Sequence, residues 1–139
     1  MDIVHLAAHA YADSLRPARS RLLLGGPSRG EALTVGEISS LPLRRGAMVV
    51  LSACSTAAGP VPNGEGTLSL ARAFLAAGAG TVIASLWPVD DEETRLLMTA
   101  FHGHVVRGRT PDEALRLAGR EHARAIRSAA SFVVVGGLN

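Results

Sequence analysis

Cys54 is the one cysteine in this 139-residue chain, and it is surrounded by small residues: Ser52, Ala53, Ser55 and Thr56. The small-residue stretch after Cys54 is expected to be a loop, and this setting leaves room for a peptide carbonyl beside the sulfur. A thiol becomes a useful nucleophile only as the thiolate, so it needs a base or a cation close by. His9, 45 positions earlier (54 − 9 = 45), is the candidate partner. Its imidazole can take the thiol proton or stabilise the thiolate. The backbone N–H of Cys54 can face a developing oxyanion, with a second donor from the loop that follows His9. Asp90 and Asp91 add carboxylates further along.

These groups can cooperate only if the fold gathers them. Residues 3–8 (IVHLAA), 47–53 (AMVVLSA) and 80–86 (GTVIASL) are short apolar runs that predict buried strands. His9 is expected to end the first strand and Cys54 the second, and Asp90 and Asp91 follow the third. Fully apolar strands separated by amphipathic helices predict a mostly parallel α/β sheet with helices on both faces. Sites in such sheets form beyond the carboxyl ends of the strands. If the three strands run parallel, all three groups open onto one rim.

The helices carry their own start and stop signals. Thr34 and Glu37 form a capping-box pattern, with the helix ending near Pro42. A second helix starts at Thr67 with Leu68, Ala71, Leu75 and Ala76 at helical spacing, and Gly78 closes it. Pro88 and the acids 90–93 open a third, which places Leu97, Phe101, His104 and Val105 on one face and stops at Gly108. Thr110-Pro111-Asp112-Glu113 opens a fourth, expected to reach about Arg127. Residues 22–24 are a candidate hairpin arm and 131–135 a final strand. The stretch 60–66 (PVPNGEG) reads as a turn; it lacks the Lys of a phosphate-binding loop.

Composition narrows the function. Apolar residues make up 47% of the chain and aromatics 4%, so a packed core of small aliphatic side chains is expected. All 14 basic residues are Arg, scattered among 12 acids, with a net charge of +2 and no basic stripe, so no nucleic-acid partner is expected. No apolar run is long enough for a membrane span, and the N-terminus lacks the basic region of a signal peptide, so a cytoplasmic protein without a membrane partner is expected. A lone cysteine agrees with a reducing compartment. His5 reads as a structural histidine. His102, His104 and His122 fall on helices without metal-ligand spacing toward Cys54.

Several blocks of the chain resemble the CHAT domain. Asp2-Ile3-Val4-His5-Leu6-Ala7-Ala8-His9 is similar to its first block, and Val50-Leu51-Ser52-Ala53-Cys54-Ser55-Thr56 to its second. Gly64-Glu65-Gly66, the helix 71–79, and Val82-Ile83-Ala84-Ser85-Leu86-Trp87-Pro88-Val89-Asp90-Asp91 follow in order. Ala114-Leu115-Arg116 and Phe132-Val133-Val134-Val135-Gly136 complete the likeness. It implies a three-layer caspase-like fold and a relationship to separase and caspases. It implies a cysteine endopeptidase with His9 as base and Cys54 as nucleophile, acting on a protein or peptide substrate without a cofactor. The separation of 45 residues is close to the roughly 50 of caspases. Ala10 and Cys54 become the backbone oxyanion donors; Ala10 stands where the family has Gly, an exchange expected to crowd that donor.

Likeness to separase places the pocket for a P1 Arg at Asp91, beside Asp90 and Trp87, and implies cleavage after Arg or Lys. A carboxylate there can hold a guanidinium by paired hydrogen bonds. The alternative reading is an inactive CHAT module that binds or scaffolds proteins, next to TPR-containing or other regulatory partners. Family domains carry a strand and helices before the His9 strand, so residues 1–139 are expected to be a single CHAT domain lacking the N-terminal part of the full domain.

Overall fold

The computed structural model describes residues 2–13, 15–24, 31–52, 54–58, 64–87, 89–122 and 125–137, with the backbone alone for 54–58 and 125–126. The expected helix opening at Pro88 and the first part of the 60–66 turn lie outside the described residues.

Four strands form the central sheet: β1 (Ile3–Leu6), β5 (Met48–Leu51), β7 (Thr81–Ser85) and β8 (Phe132–Gly136), in the order β1-β5-β7-β8. β1, β5 and β7 are parallel, while β8 runs antiparallel to β7. The expected mostly parallel sheet is therefore present. A second sheet has the order β4-β3-β2-β6, formed by β2 (His9–Asp13), β3 (Arg21–Leu24), β4 (Glu31–Thr34) and β6 (Cys54–Ala58). In it β2 and β6 are parallel, and β2-β3-β4 is an antiparallel meander.

Side-chain alternation on β5 and β7 divides the interior into two layers. Val49, Leu51, Val82 and Ala84 point toward α1 (Val35–Ser39) and α2 (Glu65–Ala76), against Ile38, Leu70 and Phe74. Met48, Val50 and Ile83 point the other way, toward Leu97, Phe101 and Val105 of α3 (Asp91–Val106) and Ala114, Leu115 and Ala118 of α4 (Pro111–Glu121). A strand buried on both faces has no polar side to offer, hence the run Met48-Val49-Val50-Leu51. Full burial of each such side chain contributes about 1.5–3 kcal/mol. The result is a three-layer α/β domain with a mostly parallel sheet between helices.

The caps act as the sequence predicts. Thr34 and Thr110 each accept from the backbone N–H three residues on, with Glu37 and Glu113 reaching back. Gly78 and Gly108 follow α2 and α3 with φ of 110° and 84°, a left-handed backbone that favours glycine.

Three boundaries differ from expectation. α2 starts at Glu65, two residues before Thr67. The fourth helix does not reach Arg127: α4 stops at Glu121, His122 takes an extended backbone (φ −127°, ψ 112°), and a separate α5 spans Ala125–Ser131. The small-residue stretch after Cys54 is not a loop but strand β6.

Candidate active site

The two runs that carry His9 and Cys54 break in the same way. β1 stops at Leu6 and β2 starts at His9; β5 stops at Leu51 and β6 starts at Cys54. Partners on either side of the break keep one offset: Ile3 pairs with Met48 (48 − 3 = 45) and His9 with Cys54 (54 − 9 = 45). The register set by the apolar β1–β5 pair therefore passes into the second sheet. His9 and Cys54 do not end the first two strands as expected; each opens the segment that follows. As register partners on parallel strands, their backbones lie about 4.8 Å apart.

His9 is exposed, and Ala10, the next residue, is buried at 1%. Strand alternation explains this: 10 and 12 turn into the core, 9, 11 and 13 turn away. The methyl of Ala10 thus fills the core beside Leu22 rather than standing over the rim. Ala10 lies between β3 and β6, opposite Leu22 on one side and Ser55 on the other.

Two of the cavities at this rim include Asp91 in their lining. The smaller, about 190 Å³, is lined by Ala7, Ala8, His9, Ser52 and Asp91. The larger, about 370 Å³, shares Ala7, Ser52 and Asp91 and adds His5, Thr94, Arg95, Met98, Thr99 and His102. His9 and Asp91 therefore face a common space, although 82 positions separate them (91 − 9 = 82). Asp90 has a different place: it is the N-cap of α3, its Oδ1 accepting from Glu93 N–H at 3.0 Å. Trp87 is 45% exposed on the connection before α3, and neither it nor Asp90 lines either cavity. Arg95, the cation of the larger cavity, is held by Glu92 through bonds of 3.0 and 2.7 Å.

Sequence reasoning missed one part of the site. His5, read as structural, bonds Ser52 through Nε2 (2.6 Å) and His102 through Nδ1 (3.1 Å). His5 keeps an exposed edge, but loss of surrounding water, and then the neighbouring His102, lower its pKa below the ordinary histidine value. Burial lowers that of His102. The usable signal was the constant offset: it sets His5 opposite Val50, two residues from Ser52. His104 pairs instead with Glu121, joining α3 to α4. Among the described residues no group of three or more His, Cys, Asp and Glu is placed to hold a metal ion, and no described helix is long and apolar enough to cross a membrane.

The three layers, the parallel core strands and the rim between β2 and β6 define a caspase-like α/β domain. The chain belongs to the CHAT domain family, whose model matches residues 1–136. This is a caspase-like, peptidase-related family. Among curated proteins, tetratricopeptide repeat protein 28 of Mus musculus is 38% identical over 82 residues, 59% of this chain and 3% of that protein. Tetratricopeptide repeat protein 28 of Homo sapiens is 41% identical over 51 residues, 37% of this chain and 2% of that protein. The chain thus spans only a small fraction of these relatives.

Proposed function

We propose that the chain is a cysteine endopeptidase in which Cys54 is the nucleophile, His9 its base, and Asp91 the anchor for a basic P1 side chain. The observation that carries this reading is the register partnership of His9 with Cys54 on parallel strands. Register partners share one face of a pleated sheet, which suits an imidazole–thiolate pair. In the first step the Cys54 thiolate attacks the scissile carbonyl. The C–N bond then breaks as the His9 imidazolium gives its proton to the leaving amine. Water, deprotonated by His9, next attacks the thioester, which releases the acid and restores the thiol–imidazole pair.

The oxyanion falls to the backbone N–H groups of Cys54 and Ala10. Since Ala10 has ladder partners on both sides, its N–H can serve only if β2 yields a ladder bond as substrate docks. Asp91 shares a cavity with His9, so a substrate bond beside His9 leaves the preceding side chain within reach of that carboxylate. Trp87 and Asp90, on the same connection, belong to the outer wall in this reading.

The test is hydrolysis of fluorogenic peptides with Arg at P1 by the wild type, Cys54→Ala and His9→Ala. Cleavage by the wild type alone supports the proposal; equal rates in all three end it. A second reading has one observation in its favour: the curated relatives are tetratricopeptide repeat proteins. In it the domain is an inactive binding or scaffold module beside such repeats. Absence of cleavage, together with retention of a TPR-containing partner by Cys54→Ala, favours that reading.

A further inference from the structure

Where both runs break, three polar side chains from three elements are joined in series. His5 lies on β1, Ser52 follows β5, and His102 lies on α3. The links are His5 Nε2 to Ser52 Oγ at 2.6 Å and His5 Nδ1 to His102 Nε2 at 3.1 Å. Ser52 is also tied by its backbone, donating N–H to the Leu6 carbonyl at 3.2 Å. Its main chain and side chain therefore both grip β1. His102 in turn lies edge-on to Phe101, ring centroids 5.3 Å apart, and Phe101 is fully buried. The series thus runs from the packed core of α3 to the residue two positions before Cys54.

Both links form together when the two rings are neutral. Ser52 can donate to His5 Nε2 while Nδ1–H donates to His102, or His102 can donate to Nδ1 while Nε2–H donates to Ser52. With both rings protonated, two N–H groups confront each other and the His–His link is lost. Other charged groups face the same space: Asp91 and Arg95 on α3, with Glu92 on Arg95, and His9 across the adjoining cavity.

We infer that His5, clamped between Ser52 and His102, is a positioning residue for the Cys54–His9 pair. It holds the break at 7–8 against Ser52, just past the end of β5, so that the β1–β5 register is carried into β2–β6. The inference rests on the cysteine peptidase reading, and it gives the first His of the HLAAH run a task distinct from that of His9.

The experiment follows the pH profile of iodoacetamide alkylation of Cys54, the chain's one thiol, in the whole chain. Thermal melts run in parallel. Wild type is expected to alkylate at pH values where a free thiol is protonated, and His9→Ala to lose that reactivity. Ser52→Ala and His5→Gln should lose most of it while still melting cooperatively, and Ser52→Thr, which keeps the hydroxyl, should restore it. Peptide cleavage should show kcat lower by on the order of 10- to 100-fold with KM little changed, as expected for misplaced reacting groups. If His5→Gln fails to fold, Ser52→Ala, which removes a single oxygen, decides alone. Wild-type profiles in Ser52→Ala and His5→Gln, with His9→Ala still deficient, overturn the positioning role and leave the dyad standing. An unchanged profile in His9→Ala overturns both.

Discussion

His9 and Cys54 are register partners on adjacent parallel strands, by the same offset of 45 that pairs His5 with Val50 (50 − 5 = 45) two residues before the break. The position of the candidate dyad is therefore inherited from apolar packing. Met48, Val49, Val50 and Leu51 are all fully buried, and a one-residue slip of β5 would exchange its two buried faces. The core that holds β1 against β5 also sets which residue faces His9.

Asp91 should govern preference rather than folding. It is exposed at the start of α3, whose cap is Asp90. Asp91→Ala is expected to lower kcat/KM for Arg-P1 peptides by roughly 10- to 1000-fold, the value of one to two charge-assisted bonds, and to leave the melting temperature within a few degrees. A P1 series measured on both proteins checks this; an unchanged ranking of P1 residues rejects the assignment.

Gly66 should be intolerant of any side chain. A Cβ there would stand 2.7 Å from Ala12 Cβ, 2.8 Å from Ala12 Cα and 2.8 Å from Asp13 N. Two of those atoms are main chain of β2, the strand that opens with His9, and cannot turn aside. Gly66→Ala is expected to destabilise the domain by about 1–3 kcal/mol, the range for overpacking, and to slow Cys54 alkylation as β2 is displaced. Chemical denaturation and the alkylation rate give the two readouts.

Acid should weaken the domain through His5 and His102. Both pKa values are lowered in the folded protein, His5 by burial and then by His102, and His102 by burial. A group that binds its proton less readily when folded gives the unfolded chain the proton advantage, so stability rises with pH. This contribution is complete above the ordinary histidine value of about 6.5. It shrinks as pH falls below that value and levels off once the folded pKa values are passed. Melting temperatures at intervals across this range should show the decline, and the His5→Gln, His102→Gln double variant should show less of it.

Core and cap variants should separate two scales of effect. Phe101 is fully buried between the sheet and α4; Phe101→Ala is expected to cost about 3–5 kcal/mol. Thr110 caps α4 with Glu113; Thr110→Ala is expected to cost about 1 kcal/mol. Urea titration of both checks the ratio.

Much of the architecture was legible because local chemistry and tertiary role agree. The capping boxes at Thr34 and Thr110, the unbroken apolar run of β5, and the Leu97–Phe101–Val105 face of α3 each have one sensible reading. β6 was not legible. Cys54-Ser55-Thr56-Ala57-Ala58 has no run of bulky β-formers, and it is a strand because β2 offers it a parallel edge. The stop at Glu121 was hidden for a similar reason, since nothing local in His122 breaks a helix. The break at residues 7–8 and the His5–Ser52–His102 series depend on register between segments more than forty residues apart, which no single segment encodes.

A crosslink tests the dyad geometry without requiring activity. In the His9→Cys variant the new thiol faces Cys54 across one strand spacing, near the lower end of the roughly 4.4–6.8 Å Cα separation that disulfides span. Mild oxidation of the folded variant is expected to consume both thiols and lower the intact mass by two hydrogens, with peptide mapping joining position 9 to position 54. Two free thiols that persist in a folded, oxidised chain, each still open to alkylation, would contradict the register on which the proposed chemistry depends.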